Sequence, residues 1–137
     1  MYKKTWLLHS QNEPEINGNV TTFANAGGRL TNETLLPVPA SIKKVGGEGK
    51  EFLVGNTNYS ITPVYEECDE SGNWRIEISP ESENTTDYFL NVIQVNDDND
   101  LITPLESTMY ETEEFYGVKI NNKVGFLSKH DERISRE

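Results

Sequence analysis

Trp74-Arg75-Ile76-Glu77-Ile78 is the stretch whose reading decides the fold. Apolar and charged residues alternate with period two. In a strand this puts Trp74, Ile76 and Ile78 on one face and Arg75 and Glu77 on the other. A helix of 3.6 residues per turn would scatter the three apolar side chains around its axis. The segment therefore reads as a half-buried β-strand, entered through the turn residues Ser71-Gly72-Asn73.

Outward from it the same pattern of short apolar runs and turn residues continues. Thr5 to His9, Val20 to Phe23, Arg29 to Leu36, Ser41 to Val45 and Glu51 to Val54 read as strands. Pro37-Val38-Pro39 cannot lie inside a central strand, because proline donates no ladder hydrogen bond. The near-continuous apolar run from Tyr88 to Val95 predicts a central strand covered on both faces. Phe115 to Ile120 and Lys123 to Leu127 flank Asn121-Asn122, which predicts a type I′ hairpin, since Asn tolerates positive φ.

Composition agrees. Three alanines stand against 14 asparagines and 12 threonines, a balance that favours strands and turns over helices. Leu, Ile, Val and Phe make up 24% of the 137 residues, above the range of disordered chains. The expected fold is all-β: an antiparallel two-sheet sandwich of about ten short strands with a C-terminal hairpin. One domain is expected over residues 1–128, followed by a charged, frayed tail over 129–137.

Twelve basic residues against 23 acidic ones give a net charge of −11. Such a chain is unsuited to bind phosphate backbones or anionic membranes, so neither nucleic acid nor membrane is expected as a partner. Cys68 is the only cysteine, which excludes an internal disulfide. Its neighbours Glu66, Glu67, Asp69 and Glu70 disfavour a reactive thiolate. The apolar stretch Trp6-Leu7-Leu8 is too short for a signal peptide, so the sequence itself assigns no compartment.

Little in the chain points to catalysis. The histidines are His9 and His130, and no Gly-x-Ser-x-Gly elbow occurs. Gly46-Gly47-Glu48-Gly49-Lys50 lacks phosphate-loop spacing and reads as a hairpin loop. Asn96 to Asp100 places oxygens at alternate positions, as calcium loops do, but lacks the glycine and the closing glutamate of such loops. A solvated turn is the first reading there, with Asp98 and Asp100 as a weak calcium candidate. No cofactor is expected. Trp6, His9, Tyr59 and Tyr116 are the candidates for carbohydrate contact, whereas Trp74 and Tyr88 are expected in the core.

Several stretches, in order, resemble one family. They are Lys4-Thr5-Trp6-Leu7-Leu8-His9-Ser10 with Pro14-Glu15-Ile16, Gly27-Gly28-Arg29-Leu30, Leu35-Leu36-Pro37, Trp74 to Pro80, and Asp87 to Ile93. Together they resemble the C-terminal β region of heparinase II/III-like polysaccharide lyases, over about residues 4–95. In that family an α/α toroid carries catalytic residues and precedes antiparallel β domains. The present residues supply no toroid, and no catalytic position carries over. The resemblance therefore implies a non-catalytic accessory β domain, a shortened piece or a stand-alone relative, with a periplasmic or extracellular setting. Its expected partner is the catalytic domain of a parent lyase or related chain. The alternative is a carbohydrate-binding module that contacts a polysaccharide through exposed aromatics. Open sheet edges would also favour self-association into a homo-oligomer.

Overall fold

The computed structural model describes residues 3–59, 72–97 and 103–130. Among these residues there are twelve strands and no helix, and every pairing is antiparallel. Where length alone suggests one domain over residues 1–128, the chain packs as two compact units, Met1–Ile102 and Thr103–Glu137.

The first unit contains β1 (Trp6–Ser10), β2 (Glu15–Asn17), β3 (Val20–Asn25), β4 (Gly28–Leu36), β5 (Ala40–Gly46), β6 (Leu53–Val54), β7 (Thr57–Asn58), β8 (Trp74–Pro80) and β9 (Leu90–Asp97). Three strands form one sheet in the order β1-β8-β5, four form a second in the order β2-β3-β4-β9, and β6 with β7 makes a small hairpin. Pro37 and Pro39 fall between β4 and β5, outside both ladders, as their missing donors require.

The two larger sheets face each other as a sandwich. Ile76 and Ile78 on β8 are fully buried and meet Phe23 of β3, with Trp6, Leu8, Leu30, Ala40 and Ile42 packed around them. The alternation that defines β8 thus places its apolar face in the core. On the opposite face Arg75 pairs with Glu77 at 2.8 Å, and its Nη2 donates to the Leu53 carbonyl at 2.6 Å, so β8 also props the β6–β7 hairpin. Leu36 and Val92 are buried as well, and polar residues fill much of the remaining interior. Thr21 and Asn32 are opposite one another and fully buried, and Thr34 Oγ1 donates to Asn91 Oδ1 at 3.0 Å.

One expectation is overturned. The apolar run ending at Val95 forms β9, yet β9 is an edge strand paired with β4 alone among the described strands. Ile93 lies opposite Asn32, and Val95 opposite Leu30, so both share the core-facing side of the sheet. They are nevertheless 47% and 70% exposed. A four-stranded sheet packed on a three-stranded one leaves its last strand overhanging.

The second unit is a meander of β10 (Ser107–Glu111), β11 (Phe115–Ile120) and β12 (Lys123–Ser128), paired in chain order. The Asn121-Asn122 hairpin is present, with Ile120 opposite Lys123, but its turn is not the type I′ expected: Asn121 takes φ 52°, while Asn122 does not take the positive φ that a type I′ turn requires at both positions.

Candidate functional site

Among the described residues the sandwich has one protected side and one open side. On the protected side β2 is three residues long and follows Pro14, while β5 carries Lys43 and Lys44. Short edges, prolines and lysines are the features that discourage further strand pairing. Lys44 Nζ also reaches across to Glu13 at 2.5 Å and to the Pro14 carbonyl at 3.2 Å, tying β5 to the segment that leads into β2. On the open side lie β1 and β9. Trp6 to Ser10 and Leu90 to Asn96 contain no acidic residue and no lysine, arginine or proline. Between these edges runs a groove of about 420 Å³, with Leu8, Phe23, Leu30 and Val95 as its apolar lining and His9, Asn25 and Arg29 at its rim.

Of the four residues expected to contact carbohydrate, Trp6, His9 and Tyr59 belong to the first unit and Tyr116 to the second. Trp6 points inward and packs against the Ile76–Ile78 core. His9 is exposed and sits at the rim of the groove. Tyr59 is 57% exposed beyond β7, with its N–H donated to the Phe52 carbonyl at 3.3 Å. Tyr116 belongs to the second unit, where the Lys129 ammonium lies 4.3 Å from its ring centroid and occupies one face. Lys129 also pairs with Glu111 at 2.6 Å and holds that carboxyl below its ordinary range.

Asp98, Asp100 and Cys68 lie outside the described residues. Among the described residues no three His, Cys, Asp or Glu side chains cluster as metal ligands would.

A second groove, of about 410 Å³, lies between the residues before β1 and the loop after β8. Lys4 organises it, donating to the Asn84 and Thr85 carbonyls at 2.9 and 3.1 Å and to Asp87 Oδ2 at 2.7 Å. The bond from Lys4, aided by Asn84, holds the Asp87 carboxyl below its ordinary value of 3.8. A depressed folded pKa contributes stability that is present above the unfolded value and lost as pH falls through the folded one. The stability difference between wild type and Lys4→Met should therefore be constant above about pH 5 and shrink on further acidification. Urea titrations of both proteins across that range check it; a difference that does not change with pH would show that the bond is not the cause.

Two further exposed aromatic residues occur on the meander. Tyr110 lies opposite Gly117, and Gly117 opposite Phe126, so the two rings share one face across three strands. They are 52% and 69% exposed. The signal was in the sequence: the strand period and the hairpin register together place them in one row.

No protein-family model matches the chain, and no curated protein matches it.

Proposed function

We propose that the first unit is a non-catalytic accessory β domain that packs against a catalytic neighbour, as the resemblance to heparinase II/III-like lyases implies. The observation that carries this reading is the open side of the sandwich. Ile93 and Val95 face the core side of their sheet yet are 47% and 70% exposed, beside a β1 edge with one partner among the described strands. Apolar side chains aimed inward but left uncovered mark a surface that another element completes. The edges on the other side are short or lysine-bearing, so the asymmetry belongs to this side specifically.

The carbohydrate-binding alternative at Trp6, His9, Tyr59 and Tyr116 has weaker support. Stacking needs a ring face open to solvent, and Trp6 is packed while one face of Tyr116 is taken by Lys129.

An absorbance assay for unsaturated uronate product tests the non-catalytic part. The isolated chain should give no turnover above blank on glycosaminoglycan substrates; turnover would contradict the reading. The packing part predicts that Ile93→Lys with Val95→Lys changes the unfolding free energy of the isolated chain by no more than about 0.5 kcal/mol, because both side chains are solvated there. A loss of several kcal/mol in denaturant melts would mean that these side chains already belong to a completed core.

A further inference from the structure

We propose that the C-terminal meander binds a neutral glycan chain across Tyr110 and Phe126. This site is independent of the open side of the first unit and of the four residues first considered for carbohydrate contact.

Three features of the second unit carry it. The first is a row of aromatic rings with a glycine between them. Adjacent strands lie about 4.8 Å apart, so residues on β10 and β12 opposite a common β11 residue start roughly 10 Å apart. Gly117 puts no side chain between them. Phe126 leans over this gap: a Cβ on Gly117 would lie 3.4 Å from its Cε1 and 3.5 Å from its Cδ1. Phe115 props the Phe126 ring edge-on, at 4.9 Å between centroids and 83° between planes. The ring is thus positioned from beside and below, and it remains 69% exposed.

The second feature is a groove of about 400 Å³ lined by Tyr110 and Leu105 together with Glu106, Thr108, Lys119 and Asn121. Thr108 and Lys119 are cross-strand partners on the same face as Tyr110. The rim therefore offers hydrogen-bond donors and acceptors beside an open ring. A pyranose fits both demands: its C–H bonds, slightly positive, face the negative face of an aromatic ring, while its hydroxyls reach the rim. An apolar peptide would instead strip water from Lys119 and Glu106 without pairing them.

The third feature is charge. The chain carries −11, and the groove has one lysine and one glutamate at its rim. A sulfated or uronate-rich polymer meets net repulsion, whereas a neutral one does not. The occupant is therefore a neutral polysaccharide of pyranose units.

The test is an NMR titration of the ¹⁵N-labelled chain with cellohexaose, mannohexaose and a heparin hexasaccharide. At least one neutral hexasaccharide should shift the amides of Thr108, Tyr110, Gly117, Lys119 and Phe126 saturably, with a Kd of about 1 mM or tighter. Tyr110→Ala and Phe126→Ala should each weaken binding by roughly tenfold. Phe126→Leu should weaken it similarly, since it keeps the apolar volume but not the ring, while Tyr110→Phe keeps it. Because Tyr110 and Phe126 are more than half exposed, preserved amide dispersion will show that the variants fold. The proposal is overturned if neither neutral hexasaccharide binds, if heparin binds more tightly than both, or if the shifts fall elsewhere. It is equally overturned if the face instead mediates self-association that Phe126→Ala abolishes.

Discussion

Ile76→Ala is expected to lower the unfolding free energy of the first unit by about 3 kcal/mol. Ile76 and Ile78 are fully buried on the middle strand of the three-stranded sheet, and they meet Phe23 from the opposite sheet. Truncation removes three carbons from that contact and leaves a cavity that ladders on both sides of β8 hinder from collapsing. For a unit of about 100 residues, 3 kcal/mol corresponds to a Tm lower by roughly 12–24 °C. Tryptophan fluorescence isolates the relevant transition, because Trp6 and Trp74 are the only tryptophans and both lie in the first unit. Val95→Ala is the control: at 70% exposure it should shift the same transition by less than about 0.5 kcal/mol. Equal losses from both substitutions would place the core elsewhere.

Gly46→Ala is expected to cost about 3 kcal/mol, or to prevent folding. Gly46 closes β5 at φ 150°, a region that side-chain-bearing residues rarely adopt. A Cβ there would collide with the Asn73 carbonyl oxygen and lie 2.6 Å from the Trp74 Cα, both backbone atoms that cannot step aside. Gly47 adds to the constraint: its N–H donates to the Asn73 carbonyl at 3.0 Å, and the Trp74 ring lies over the site a Cβ would fill. The comparison is Gly18→Ala, where φ is 60° and nothing lies within 4 Å. That substitution should cost only the left-handed backbone term, about 1 kcal/mol. Paired urea melts separate the two effects. Similar small losses at both positions would show that the β5–β8 corner is looser than the close approach implies.

These sites show what the sequence could and could not disclose. The alternation at Trp74 to Ile78 is a local property, and it correctly gave the strand and its buried face. The Asn121-Asn122 hairpin and the exclusion of Pro37 and Pro39 from the ladders were legible for the same reason: each depends on the backbone preferences of a few adjacent residues. The position of a strand within its sheet is not local. The run ending at Val95 is as apolar as a central strand, yet among the described strands it pairs with β4 alone, because hydropathy does not specify which strands lie beside it. Trp6 likewise has the composition of a surface platform and the direction of a core residue, since its register opposite Ile78 sets its face. Tyr110 and Phe126 are 16 residues apart, and only the register of two successive hairpins brings them into one row.

The central claim is that the open side of the sandwich completes itself against a catalytic neighbour. It is tested most directly by co-expressing the chain with the toroid domain of a heparinase II/III-like lyase and measuring the assembly by size exclusion with light scattering. The account predicts a one-to-one complex that Ile93→Lys with Val95→Lys abolishes, while the lysine variant by itself retains the fold and stability of the wild type. No complex, or one indifferent to the two lysines, would contradict it.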